Sequence, residues 1–131
     1  MVLMPDTTAL RGARKAAAQL DLEADLLIED WRQTCADVEY RCVYCEKAIA
    51  SGNGSIDHFI PLSCSGGTTI MNCILSCRPC NLAKGDNSPE HFLVNNPNKL
   101  AHIRAYLTSA GRVRAFSPFG MWYLQEKRRN P

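Results

Sequence analysis

Apolar residues recur at helical spacing over the first third of the chain and predict two consecutive helices. The first is expected to begin at Thr7 or Thr8 and to end near Leu20. The second is expected to begin at Asp21, a residue type that caps helices well, and to bury Trp31 in the core. The apolar stripes are Leu10, Ala13, Ala17 and Leu20 in the first helix and Ala24, Leu27, Ile28, Trp31 and Cys35 in the second.

From Ser55 to Leu62 the pattern changes to an alternation that predicts a strand. Because successive side chains of a strand point to opposite faces, Asp57 and His58 are expected on different sides. Residues 73–76 are a short apolar piece, either a second strand or a tight turn, and a short helix is predicted from Pro79 to about Asp86. The middle of the chain therefore combines short extended pieces with one short helix.

Two further helices are predicted after this middle segment. Ser88 followed by Pro89 is a typical helix start, with serine as the N-cap and proline at the first helical position. A longer helix is expected from Asn98 to a stop at Gly111, and residues 112–116 should be extended. The buried stripe of the longer helix is expected to consist of Leu100, Ile103, Leu107 and Ala110.

The chain has 131 residues and a formal net charge of +2, which predicts a single domain over residues 1–131. Its parts are expected to be helices over 1–41, a core over 42–86 and a helical, basic extension over 87–131. The charge is uneven, because Glu126 is the one acidic residue beyond residue 97. The basic residues of that region are Lys99, Arg104, Arg112, Arg114, Lys127, Arg128 and Arg129.

Four of the seven cysteines form two Cys-x-x-Cys pairs, the spacing of a structural zinc site. The chain shows neither a secretory signal pattern nor an apolar run near the ~20 residues of a membrane span. We therefore expect a reducing cytoplasmic setting, where such pairs favour metal over disulfide. A redox dithiol, the alternative, would need a βαβ context. The predicted zinc ligands are Cys42, Cys45, Cys77 and Cys80, with Cys64 and Cys73 as packing residues.

The segment between the cysteine pairs holds side chains suited to hydrolysis. A neutral imidazole at His58 could take a proton from water near neutral pH. Asp57 and Asn81 offer oxygen donors of the kind that hold Mg²⁺ or Mn²⁺ together with several waters. Asn72 could fix the loop and orient the imidazole through its amide. Each residue also has a structural interpretation, since a single histidine or a loop asparagine is more often structural.

The order and spacing of these residues resemble the HNH endonuclease family. The pattern reads Cys-x-x-Cys, Asp-His-x-x-Pro-Leu-Ser, Gly-Gly, Asn and Cys-x-x-Cys-Asn-x-x-Lys-Gly-Asp, and it covers about Arg41–Asp86. The preceding helices are similar to those of small phage-type members. The resemblance implies an α+β fold with a ββα-metal (His-Me finger) core, stapled here by a four-cysteine zinc site and flanked by helices at both ends.

The resemblance also implies a role for individual residues. His58 would be the general base that activates water, and Asp57 and Asn81 would hold the catalytic divalent ion. Asn72 would hold the strand-linking loop and the histidine, and Lys84 is a candidate phosphate contact. The implied activity is metal-dependent hydrolysis of phosphodiester bonds in DNA, by nicking or by double-strand cutting.

Two positions depart from the pattern common in that family. Asn81 stands where many relatives have histidine, which favours an oxygen ligand. The loop Ser63–Gly67 lacks the arginine that many relatives carry there and has one added residue, which weakens the expected grip on phosphate.

The expected partner is double-stranded DNA, with a homodimer or a phage or host protein as unproven additions. Phosphate contacts are predicted for four arginines. For the two in the first helix, the alternative is a solvated helix face. The competing functions are a non-catalytic zinc module that binds nucleic acid and a nuclease toxin acting on RNA or DNA. The four arginines are Arg11, Arg14, Arg112 and Arg114.

Overall fold

The structure is a computed structural model that describes residues 7–50 and 53–109 of the chain. These residues form five α-helices, one 3-10 turn and two strands. In chain order the elements are α1 (Thr7–Gln19), α2 (Ile28–Asp37), β1 (Gly54–His58), the 3-10 turn Leu62–Cys64, β2 (Cys73–Cys77), α3 (Arg78–Lys84), α4 (Pro89–Phe92) and α5 (Pro97–Ser109).

An antiparallel hairpin of β1 and β2 stands at the centre of the described fold. Gly54 pairs with Cys77 at one end of the ladder, and His58 pairs with Cys73 at the other. The second strand is buried along its apolar residues, and α3 follows it directly and packs against both strands. This arrangement of two antiparallel strands and a helix confirms the α+β fold and is compatible with the ββα-metal core.

The flanking helices complete one hydrophobic core around the hairpin. Trp31 and Cys35 of α2 are buried there, as their helical spacing predicted. Leu10 of α1 belongs to the same cluster. From α5 the cluster receives Ile103, Tyr106 and Leu107. Tyr106 was not in the predicted stripe; its side chain is buried, and its hydroxyl donates to Asp37 Oδ2 at 2.7 Å.

The second helix begins at Ile28, and the predicted start at Asp21 is wrong. Asp21 has a φ of 56°, and residues 22–27 connect the two helices without regular secondary structure. Backbone hydrogen bonds to a distant loop keep this connection from becoming helical. Leu26 N–H donates to the Thr68 carbonyl, and Thr68 N–H donates to the Glu23 carbonyl. These long-range bonds outweigh the local helical preference.

Two other expectations need correction. The first strand ends at His58 and not at Leu62, because the chain turns there around Asn72, whose carbonyl accepts from Phe59 N–H. Cys64 is exposed and is not a packing residue, whereas Cys73 is buried as expected. The stop at Gly111 and the extended segment 112–116 lie outside the described residues. Among those described, no helix has the length and apolar character that a membrane span requires.

Candidate active site and metal centre

Four sulfur atoms meet beside the end of the hairpin where Gly54 pairs with Cys77. The first pair lies in the turn before β1, and the second joins the end of β2 to the start of α3. All four atoms lie within 4.8 Å of one another, and Cys45 Sγ is 3.8 Å from Cys77 Sγ. Tetrahedral zinc with Zn–S bonds of about 2.3 Å needs sulfur–sulfur edges of about 3.8 Å. The residues of this cluster, Cys42, Cys45, Cys77 and Cys80, therefore fit a metal ion.

The backbone supplies hydrogen-bond donors to one sulfur of this cluster, while burial opposes the thiolate form. The N–H groups of Tyr44 and Cys45 donate to Cys42 Sγ at 3.4 and 3.5 Å. Burial raises the pKa of the Cys42 and Cys80 thiols above the ordinary value. Metal binding must release those protons, so affinity for the metal will rise with pH.

Lys99 of α5 ties the first cysteine turn to the rest of the fold. Its Nζ donates to the Tyr44 carbonyl at 2.6 Å and to Glu46 Oε2 at 2.7 Å. The lysine side chain is only 9% exposed. These contacts of Lys99 were not predicted, because both partners are more than fifty residues away in sequence.

His58 lies at the opposite end of β1 with its imidazole half-buried. Its Nε2 is 2.9 Å from Thr68 Oγ1. Burial lowers the pKa of His58, and the positive charge of Lys84 lowers it further. The imidazole is therefore neutral at neutral pH, which is the form that can accept a proton.

Asn72 closes the loop between the two strands. Its Oδ1 accepts from Ile60 N–H at 2.8 Å, and its Nδ2 donates to the carbonyls of Ile60 and Gly67. The loop is tight here, since a Cβ on Gly66 would lie 1.8 Å from the Ile60 carbonyl oxygen. The asparagine thus holds the loop, and it does so through Ile60 and Gly67 rather than by a bond to His58.

Asp57 points to the other face of β1, into a buried polar cluster. Its Oδ2 accepts a short hydrogen bond from the Tyr44 hydroxyl, and its Oδ1 is 3.6 Å from Lys84 Nζ. Burial raises the pKa of Asp57, while the charge of Lys84 and the bond from Tyr44 oppose that shift. The carboxylate is therefore one member of a buried ion pair.

Lys84 lies inside the protein, which does not fit the phosphate contact predicted for it. Its side chain is 1% exposed, and its Nζ donates to the His58 carbonyl at 2.9 Å. The ammonium instead holds β1 against α3 from within. The sequence could not distinguish a surface lysine from this one, because the residue type alone favours exposure.

The oxygen donors predicted for a catalytic ion do not form an open site as they stand. Asn81 is half-buried on α3, one helical turn before Lys84. Asp57 has a side chain only 3% exposed and already has two partners. An ion that keeps several waters needs more access and would compete with the lysine ammonium. The ligand role of this pair remains a prediction.

The arginines predicted for phosphate contact differ in their surroundings. Arg11 is exposed on α1. Arg14 is half-buried, and its Nε donates to the Leu26 carbonyl at 2.6 Å, so it supports the connection before α2. Arg112 and Arg114 lie outside the described residues.

Sequence reasoning missed two polar residues of the site. Tyr44 stands between the cysteines of the first pair, and its hydroxyl binds Asp57. Thr68 follows the Gly-Gly turn and binds His58. Their positions inside the two recognisable motifs were the available signal, but nothing in the spacing indicated which way their hydroxyls point.

Comparison with known families agrees with this geometry. A family model described as HNH endonuclease matches residues 42–96, from the first predicted zinc ligand to the residue before α5. A comparison with curated proteins found no match. The family implies nuclease activity and a nucleic-acid substrate. Through residues 42–96, which contain the hairpin, the four cysteines and His58, the chain is similar to the HNH endonuclease family.

Proposed function

We propose that the protein is a metal-dependent endonuclease that hydrolyses phosphodiester bonds of double-stranded DNA. One observation carries the proposal: within the segment that matches the family, a neutral, half-buried imidazole stands at the end of β1. A general base has to be unprotonated at working pH and held in place. His58 meets both conditions.

In the proposed reaction His58 removes a proton from water as the water oxygen attacks phosphorus. The bond between phosphorus and the 3′-oxygen then breaks, the departing 3′-oxygen takes up a proton from solvent, and the imidazolium later returns its proton to solvent. A divalent ion such as Mg²⁺ or Mn²⁺, for which Asp57 and Asn81 are the predicted donors, would supply positive charge for the phosphate and the leaving oxygen. The four cysteines would hold a structural zinc ion, which with four protein ligands would stabilise the fold and would not bind substrate.

Other residues of the chain bind and orient. Asn72 keeps the strand-linking loop closed by three hydrogen bonds. Arg11 is an exposed cation on α1 that can neutralise phosphate without reading sequence. With one histidine base, each binding event is expected to cut one strand, so double-strand cuts would need two visits or two copies.

The test is a plasmid-nicking assay on the zinc-loaded protein with a panel of divalent ions. We expect nicking that depends on added Mg²⁺ or Mn²⁺. His58→Ala should slow it by about 10²- to 10⁴-fold, the usual contribution of a general base. His91→Ala is the matched control, because His91 is exposed on α4 and should leave the rate unchanged. A His58→Ala protein that nicks at the wild-type rate would refute the assignment.

The same assay separates the alternative of a non-catalytic zinc module. Such a module would bind nucleic acid without the divalent ion. It would not cut DNA with any metal ion in the panel. A chelator is used to remove the added divalent ion. Zinc content is measured in parallel, to show that the chelator has not also removed zinc from the cysteines. RNA and single-stranded DNA in the same reactions test the substrate class.

A further inference from the structure

Thr68 stands between the predicted base and the first helix of the chain. Its Oγ1 donates to the Ala13 carbonyl oxygen of α1 at 2.8 Å. The same Oγ1 is 2.9 Å from His58 Nε2. The threonine is 0% exposed, so water does not replace either partner.

Counting hydrogens fixes the direction of both bonds. A threonine hydroxyl has one hydrogen and two lone pairs, and a carbonyl oxygen can only accept. The hydrogen of Thr68 therefore goes to Ala13, and towards His58 the hydroxyl can only accept. Because a neutral imidazole carries its hydrogen on one nitrogen, Nε2 must be the protonated one and Nδ1 must hold the lone pair.

The backbone of Thr68 is fixed by the same region of the chain. Its N–H donates to the Glu23 carbonyl at 2.8 Å, and its carbonyl accepts from Leu26 N–H at 3.1 Å. Arg14 in turn binds the Leu26 carbonyl. The hydroxyl is thus presented to His58 by residues that all precede the segment matched by the family model.

We propose that Thr68 is a positioning residue that holds His58 as the Nε2–H tautomer, so that Nδ1 is the atom that takes the proton from water. This inference rests on the proposed function of His58 as the base. It makes α1 part of the catalytic unit, although the helix lies outside residues 42–96. A partner of this kind fixes both the tautomer and the ring orientation.

The wrong tautomer is disfavoured by a direct clash of lone pairs. If Nδ1 carried the hydrogen, the Nε2 lone pair would face the oxygen lone pairs of Thr68 at 2.9 Å. The hydroxyl could relieve this only by giving up its hydrogen bond to the Ala13 carbonyl, which would then have one partner fewer. Removing the hydroxyl removes this preference, so both tautomers become populated and the ring gains freedom.

The test uses long-range proton–nitrogen NMR correlation of the histidine rings in the full-length, zinc-loaded protein without substrate. The His58 signals are identified as those missing from His58→Ala. At neutral pH we expect the wild-type ring to be protonated at Nε2. Thr68→Val, which keeps the shape and removes the hydroxyl, should give a mixture, and Thr68→Ser should restore the wild-type pattern.

The kinetic arm uses the same variants in the nicking assay. Thr68→Val should lower kcat by about 10- to 100-fold, as loss of an orienting partner commonly does, with KM for DNA unchanged. Thr68→Ser should recover most of the rate. Thr69→Val is the matched control, since Thr69 contributes backbone carbonyl bonds to Asn72 and Cys73 that the substitution keeps.

The two arms separate failure of this inference from failure of the proposed function. A wild-type ring protonated at Nδ1 overturns the inference, and this outcome needs neither activity nor a folded Thr68 variant. A wild-type rate in Thr68→Val, with an unchanged ring spectrum, also overturns it. A wild-type protein that never cuts DNA refutes the proposed function, while the ring spectrum still reports on the tautomer.

Discussion

The two ends of the β1–β2 hairpin are built in different ways. At the end where Gly54 pairs with Cys77, two tight turns each bring two sulfur atoms together. At the other end, where His58 pairs with Cys73, the functional side chain depends on Thr68 and, through it, on Ala13 of α1. Each sulfur pair at the first end is set by local spacing, whereas the partners of His58 at the other end come from distant segments.

The comparison shows that a structural metal site and a catalytic geometry make different demands on a small fold. A zinc site needs four sulfurs at the right distance, which two turns supply. A base also needs a defined tautomer and orientation. A buried cluster joins the two ends. Tyr44, in the first cysteine turn, binds Asp57 of β1, and Lys84 binds the carbonyl of His58 on the same strand.

The largest expected effect is loss of the metal at the cysteine end. Structural zinc contributes about 10–16 kcal/mol of apparent binding free energy, comparable with the whole stability of a typical domain, about 5–15 kcal/mol. Cys77→Ser should therefore abolish cooperative unfolding as followed by circular dichroism. Cys64→Ser, at an exposed cysteine, should unfold like the wild type. A Cys77→Ser protein with full zinc content and an unchanged midpoint would contradict the site.

An intermediate effect is expected in the cluster that joins the two ends. Lys84→Met leaves the buried Asp57 carboxylate without its cation, which should cost about 3–5 kcal/mol in the free energy of unfolding. Adding Asp57→Asn should recover part of that loss, as a double-mutant cycle in urea would measure. Lys47→Met is the control, because Lys47 is exposed and should change stability by less than about 0.5 kcal/mol. A single Lys84→Met variant as stable as the control would show that the pair is not buried.

The smallest effect on stability, but a large one on activity, is expected at the loop of the catalytic end. Gly66→Ala places a methyl group against the Ile60 carbonyl, which should cost about 1–3 kcal/mol and displace the loop that carries Thr68. Nicking should fall sharply while zinc content stays at the wild-type value. Gly12→Ala is the control, since a Cβ there meets nothing within 4 Å and alanine suits a helix. Equal activity in the two variants would mean that loop position does not matter.

Features that depend on neighbouring residues could be predicted from the sequence. The Cys-x-x-Cys spacing, the order of Asp57 and His58 and the start of α4 at Ser88–Pro89 all depend on short-range chemistry. Ser88 Oγ does accept from His91 N–H. By contrast, the predicted start of α2 was wrong. Leu26 N–H donates to the carbonyl of Thr68, which lies in a loop far along the chain.

The sequence by itself determined the resemblance of residues 42–96 to the HNH endonuclease family, the two cysteine pairs and the position of the histidine, because each depends on residue types at short spacing. Only the tertiary structure decided that Lys84 is buried against Asp57, that Arg14 binds the Leu26 carbonyl, and that Thr68 contacts His58. Those properties depend on which distant groups surround a side chain and on the direction of each hydrogen bond. Neither is encoded in the local order of residues.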